Sequence, residues 1–444
     1  MSTRLEDPES TDLLQQLIRN ACVNDGTLAS GNELRSVDLL QQYLGTTGFD
    51  VERYEPQPGR ASLLARIEGT DPDAPTLMLM GHTDVVPVNP AGWSRDPFAA
   101  DIVDGMVWGR GAVDMLNLTA TQAVAFRRLA EEGFRPKGTL LYLAVADEEA
   151  LGTWGAHWLV DHELDAVRAD YVLTESGGFQ MPTEHGPRLP VMVAEKGTFW
   201  SKIHVHGTPG HGSQPFNTDN ALVRAAEVVR RLDAYRPEAQ IGEVWRRYVD
   251  GMDFPAELHD AFLDPSAVRD FCASLPLGMG RLVHACTHTT FTPTVAHGGT
   301  KTNVIPDHVE LEVDIRTLPG QSGDDIRGML REALGDLYDQ VEIESNEDLS
   351  TASAIDTPLW DALSRVAGRL VQDSALVPFL MVGGTDNRYF RRAGATGYGF
   401  GLFSKRLGFE DYATMFHGND ERVDLESLAL SEQLWRAVAH EVLA

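Results

Sequence analysis

The residues best suited to chemistry in this chain sit where apolar runs stop. Leu77 to Met80 reads as a strand buried on both faces, and it ends at Gly81 to deliver His82 and Asp84. Thr139 to Val145 ends in the same way at Asp147-Glu148-Glu149, and Asp170 to Thr174 at Glu175. In open parallel α/β sheets the carboxyl ends of the strands are where ligands bind. The His-x-Asp spacing also sets a carboxylate beside an imidazole that it can orient. Asp114 closes the Gly-rich turn Gly109-Arg110-Gly111-Ala112-Val113-Asp114 before a helix, and His417 adds a second imidazole near the C-terminus. Two histidines and three carboxylates suit two borderline metal ions that share one carboxylate. The neighbours Glu148 and Glu149 cannot easily both chelate one ion, so one can ligate while the other serves as a base. Singly, each residue has an ordinary alternative: a hydrogen-bonded core histidine, a helix cap for Asp114, a solvated patch for the two glutamates. The metal reading rests on several independent strand ends carrying these types together.

The elements that must position these groups alternate. Leu13, Leu14, Leu17 and Ile18 mark one amphipathic helix and Val37, Leu40 and Leu44 a second, with short strands at 50–54 and 63–67. Leu116, Ala120, Ala123 and Val124 recur at helical spacing after Asp114. Strands apolar on both faces, alternating with helices, predict a mostly parallel sheet covered by helices. From about Gly197 the texture changes. Val309, Leu311, Val313 and Ile315 alternate with acidic residues, as a strand with one wet face does, and Phe199 to Val205 reads similarly. Residues 235–285 read as an irregular, partly helical insertion. Helices near 323–335 and 358–371 and strands near 376–382 and 396–403 restore the first pattern. The expected division is therefore a catalytic domain of 1–196 and 317–444 interrupted by an α+β domain, 197–316.

Composition limits the partners. Across 444 residues, 37 basic against 66 acidic side chains give a formal charge of −29, which argues against nucleic acid and anionic membrane as partners. Cys22, Cys272 and Cys286 are odd in number and widely spaced, and form neither a disulfide framework nor a thiolate zinc site. The opening residues Met1 to Pro8 show no apolar signal region and no run approaches a membrane span, so a cytoplasmic protein is expected.

Taken together, Gly81 to Pro87, Gly109 to Asp114, Asp147-Glu148-Glu149, Gly207 to Ser213, Thr302 to Pro306 and Gly383 to Arg388 resemble the signatures of a known family, in its order. The family is that of the co-catalytic zinc peptidases and deacylases, which includes aminoacylase, acetylornithine deacetylase, succinyl-diaminopimelate desuccinylase and carboxypeptidase G. The resemblance runs from about residue 10 to the end. It implies two zinc ions, with cobalt or manganese as substitutes. His82, Asp114 and Glu175 would hold one ion and Asp114, Glu149 and His417 the other. Asp84 would orient His82, and Glu148 would be the general base that activates the bridging water. The inserted domain would be a lid that mediates a homodimer, with His211 stabilising the tetrahedral oxyanion, often across the dimer, and Asn303 assisting. Arg316 and Arg388 would bind the free carboxylate of the substrate, for which a guanidinium fork is well shaped. For Arg316 an ordinary strand-end ion pair stands beside that role. In that family Glu at the position of Glu175, rather than Asp, goes with carboxypeptidases and N-acyl-amino-acid deacylases, so the resemblance implies one of these. The expected function is hydrolysis of the amide bond of a small peptide or N-acyl amino acid. A carbamoyl- or ureido-amino-acid hydrolase with the same centre is the alternative within enzymes. An inactive ligand-binding relative is the alternative outside them, disfavoured because pure binding needs no base.

Overall fold

The computed structural model describes residues 5–45 and 49–444, so the first four residues of the N-terminal segment read above lie outside it. The described residues form a mixed α/β body built on a nine-stranded sheet. Its order is Asp50–Gln57, Arg60–Ile67, Leu140–Val145, Leu77–His82, Tyr171–Thr174, Thr396–Gly399, Arg188–Glu195 and Thr351–Ala352, with Ala375–Met381 also paired to Arg188–Glu195. The four middle strands, from Leu140–Val145 to Thr396–Gly399, run parallel, and antiparallel pairs extend the sheet on both sides. Every residue of Leu77–His82 and Leu140–Val145 is buried, as their unbroken apolar runs require.

The parallel register explains why the strand ends meet. Leu77 pairs with Leu140 and His82 with Val145, while Leu77 also pairs with Tyr171. Three adjacent strands therefore finish on one edge, spaced by about 4.8 Å per strand, with His82 in the middle. The helix Leu116–Glu131 crosses close above. A Cβ at Gly81 would collide with the Thr119 hydroxyl, which donates to the His82 carbonyl at 2.8 Å.

The second unit has different limits from the expected 197–316. Its sheet runs Thr290–Gly298, His308–Thr317, Gly197–His206, Val341–Asp348, and its apolar face is covered by the helices Ala221–Ala234 and Gly323–Leu334. Ile326, Leu330 and Leu334, assigned above to the catalytic domain, pack with Phe199, Ile203 and Leu311. Within the 235–285 insertion, Trp245, Tyr248, Val249, Phe262, Val268 and Val283 instead join the core of the main body. Periodicity locates the apolar stripe of a helix and not the surface that covers it, which is why the boundary at 316 cuts through a packed unit.

Candidate metal centre

Three convergent strand ends, the turn before Leu116–Glu131 and the loop after the helix Phe409–Met415 bring five ligand candidates together in two groups that share one residue, His82–Asp114–Glu175 and Asp114–Glu149–His417. His82 Nε2 lies 3.2 Å from Asp114 Oδ1 and 3.9 Å from Glu175 Oε2. His417 Nε2 lies 3.1 Å from both Asp114 Oδ2 and Glu149 Oε2. Asp114 thus turns one oxygen to each imidazole. Glu148 lines the same cavity and belongs to neither group.

Two of the ligand turns are tied down by buried carboxylates. Glu421 accepts the backbone N–H groups of Val113 and Asp114 on Oε1, at 2.7 and 3.0 Å, and that of Gly111 on Oε2 at 3.0 Å. Arg110 pairs with it at 2.8 Å. Asp84 does the same for the next strand end, accepting Glu148 N–H and Glu149 N–H at 3.2 and 3.1 Å. The orienting contact expected from the Asp84 side chain to His82 runs through the Asp84 backbone carbonyl instead. His82 Nδ1 donates to that oxygen at 2.9 Å, while the carboxylate is 3.6 Å away. With its proton on Nδ1, His82 presents the Nε2 lone pair to the centre.

The electrostatics call for cations. Burial, then the charge of Glu175, pushes the Glu148 carboxyl well above its ordinary range. Burial and the charge of Asp114 raise Glu149 to about 7, and burial, despite nearby His82, raises Glu175 well above the usual range. Hydrogen bonds to Asp114 and Glu149 lift His417 to about 10. Burial alone would raise Asp114 too, but His417 and His82 hold it below the carboxylate range. Four carboxylates thus crowd against two imidazoles, and Glu149 Oε1 is buried with no hydrogen-bond partner among the described residues. An all-nitrogen and oxygen donor set of this kind fits zinc, cobalt or manganese.

The cavity above the centre holds about 270 Å³ and is also lined by Lys196, Trp200, Arg316, Asp348, Arg388 and Phe416. Arg316 stacks over Trp200 at 5.7 Å and gives Nε and Nη2 to Asp314, at 2.8 and 3.2 Å. The strand-end ion pair expected as one of its two roles is present, and the same side chain lines the cavity. Arg388 is more heavily engaged. It donates to the Thr385 carbonyl at 2.6 Å and the Leu151 carbonyl at 3.2 Å, and its Nε is 2.9 Å from Asp348. It braces the cavity wall, with few donors left for a substrate. His211 and Asn303 are not brought to this cavity. They lie together on the lid, where Gly210–His211 pairs with Val304–Ile305 and Gly212 N–H donates to the Asn303 carbonyl at 2.9 Å. His211 is exposed, and its Nδ1 accepts Ser213 N–H at 3.2 Å, which places the ring proton on Nε2.

Glu421 and Lys196 went unread in the sequence. Asp420-Glu421-Arg422 has the composition of a solvated turn, and nothing local marks Glu421 as buried. Lys196 donates to the Ala285 and His288 carbonyls at 2.8 and 2.7 Å, and its burial lowers its pKa to about 8.

An α/β body whose parallel strand ends gather two histidine–carboxylate groups around a shared aspartate is that of a metal-dependent hydrolase. The chain belongs to peptidase family M20/M25/M40, whose model matches residues 78–441. It is 28% identical over 394 residues to human (Homo sapiens) aminoacylase-1, covering 87% of this chain and 85% of that protein. The fold is similar to that of the M20 family metallo-carboxypeptidase Sso-CP2 from Sulfolobus solfataricus. The TM-score is 0.73 at 15% identity, over 98% of this chain and 99% of the other. It is also similar to the Bacillus subtilis YXEP protein, described as a dinuclear metal binding peptidase of the M20 family. That match has a TM-score of 0.61 at 16% identity, over 98% and 99% of the two chains. Among the described residues no helix is long and apolar enough to cross a membrane.

Proposed function

We propose that the protein is a dinuclear metal amidohydrolase that cleaves the amide bond of a small peptide or N-acyl amino acid with a free carboxylate. The observation that carries this reading is the pair of ligand groups sharing Asp114, with Glu148 beside them and in neither. His82, Asp114 and Glu175 would hold one ion; Asp114, Glu149 and His417 would hold the other. When bound, two zinc ions polarise a carbonyl and bring the pKa of water towards about 7. Glu148, whose carboxyl is raised by burial and by Glu175, accepts the proton of the attacking water and passes it to the departing amine nitrogen. Arg316, fixed by Asp314 and Trp200, takes the substrate carboxylate with its remaining Nη1.

The lid completes the site from a second copy of the chain. Phe216, Leu222, Val223 and Val304 are exposed apolar side chains on the same part of the lid as His211. Their burial in a homodimer gives His211 a route to the metal centre of the partner, where Nε2–H donates to the oxyanion. Zinc analysis with turnover of a panel of N-acetyl amino acids and dipeptides tests the reading. About two ions per chain and hydrolysis of one substrate class are expected. One ion per chain at full activity would overturn the dinuclear assignment, and light scattering that finds a monomer at working concentration would overturn the lid role.

A further inference from the structure

Behind the metal-ligand turns lies a buried polar network that neither the ligands nor the base account for. Its centre is Arg60, the first residue of Arg60–Ile67, only 2% exposed. Arg60 Nη1 is 2.6 Å from Glu33 Oε1 and 3.4 Å from Asp147 Oδ1. Its Nη2 donates to Asn24 Oδ1 at 3.1 Å and to the Thr27 carbonyl at 2.9 Å. Gly31, at φ +76°, leaves room for the guanidinium; a Cβ there would collide with Nη1.

The contact to Asn24 determines which way its amide faces. With Oδ1 taken up by Arg60 and by Gly26 N–H, the Asn24 amide nitrogen faces two carboxylates, donating to Asp84 Oδ2 at 2.9 Å and Asp147 Oδ1 at 3.0 Å. Asp84 in turn holds the N–H groups of Glu148 and Glu149. Asp147 accepts Trp154 N–H at 2.9 Å and has a left-handed backbone, φ +67°, at the start of the same turn. A continuous chain of contacts therefore runs from Arg60 through Asn24 and Asp84 to the peptide groups that carry the base and one ligand. A buried Arg–Glu pair is weak as a source of stability, because desolvation offsets its attraction. One guanidinium shared by two carboxylates and the amide that grips a third is better suited to fixing geometry.

We propose that Arg60 is a positioning residue for hydrolysis, holding the turn Asp147–Leu151 through Asn24 and Asp84 so that Glu148 keeps its place relative to Glu149. The proposal rests on Glu148 acting as base. Arg60→Met in the zinc-loaded enzyme is expected to lower kcat about tenfold to a hundredfold, the scale of a small misplacement of a reacting group, with KM and zinc content little changed. Arg60→Lys keeps the charge without the fork and is expected to recover part of the loss. The discriminating measurement is a double-mutant cycle. In a Glu148→Gln background, Arg60→Met is expected to cost nothing further, because the group it positions is gone. An equal fold-loss in both backgrounds, or an unchanged kcat in Arg60→Met alone, overturns the proposal. Should Arg60→Met not fold, Asn24→Ala breaks the same chain one link later; the same pattern supports the proposal and an unchanged kcat overturns it. Glu148→Gln alone reports on the base separately: full activity there sinks the base reading and this proposal with it.

Discussion

The catalytic body and the lid hold their polar groups in opposite ways. In the body, ligands stand on strand ends and turns whose backbone N–H groups are gripped by Asp84 and Glu421, both fully buried. On the lid, His211 sits in a two-residue strand, exposed to solvent, fixed mainly by Ser213. The first arrangement fixes positions before any substrate arrives. The second leaves an imidazole on the surface, away from the cavity above the metal centre. Even within the centre the contrast persists, since the His82 side chain is 1% exposed and that of His417 49%. The five ligand candidates thus belong to one folded unit, while the oxyanion role proposed for His211 requires a second copy of the chain.

The largest effects test the body. Removing the metal ions by dialysis against a chelator is expected to abolish turnover, and zinc to restore it; retained hydrolysis by metal-free protein would break the whole assignment. Glu148→Gln is expected to lower kcat by about 10² to 10⁴, the usual contribution of a general base, with both ions still bound. His417→Ala is expected to release the more exposed ion selectively, since His82, Asp114 and Glu175 remain intact. Zinc titration that shows both ions lost together would mean that the two groups are not separable sites.

How much of this was legible in the sequence follows the same division. Strands buried on both faces leave unbroken apolar runs, so Leu77–His82, Leu140–Val145 and Tyr171–Thr174 could be read, with the residues that follow them. Asn24, Arg60 and Glu421 could not. Each acts across more than thirty residues of chain, through contacts that no local spacing encodes. Arg388 was read for its type, but its contacts to Thr385, Leu151 and Asp348 were not legible from spacing. The strand Val341–Asp348 was missed as part of the lid because its alternation is mostly polar, and only pairing with Gly197–His206 assigns it.

Intermediate effects test the lid. His211→Ala is expected to lower kcat by about 10² to 10³, as loss of one oxyanion donor does, while zinc content is unchanged. Mixing inactive His211→Ala and Glu148→Gln subunits is expected to regenerate activity, because one site of the mixed dimer then has both groups. No complementation would confine His211 to its own subunit or remove it from the reaction. Arg316→Ala is expected to raise KM by about tenfold to a hundredfold, the equivalent of one charged hydrogen bond of about 1.5–3 kcal/mol. The effect is expected only for substrates with a free carboxylate; equal losses on amidated substrates would leave Arg316 as a strand-end ion pair.

The smallest expected effect separates the charge state of the centre from its chemistry. Without metal, burial and the charge of Asp114 hold Glu149 near 7, and burial holds Asp386 near 7 as well. The folded chain keeps protons there that the unfolded chain releases at about 4. Stability from these groups is therefore full below about pH 4 and falls as pH rises through about 7. His417 adds to the trend. Its pKa, raised by Asp114 and Glu149 to about 10, gives a contribution present below about 6.5 and lost as pH rises towards 10. Asp114 opposes them only in acid, because its lowered pKa gives stability that disappears below the ordinary carboxylate range. Cations replace the missing protons, and at a hundredfold excess over Kd they stabilise the fold by about 2.7 kcal/mol. The gap in Tm between zinc-loaded and metal-free protein is thus expected to widen from pH 5 to pH 8, as ligand protons cease to compete with the ions. Scanning calorimetry of both forms across that range checks it. A constant gap would mean that the carboxylates around Asp114 are already compensated in the free protein, and that the buried excess of negative charge is not what draws the metals in.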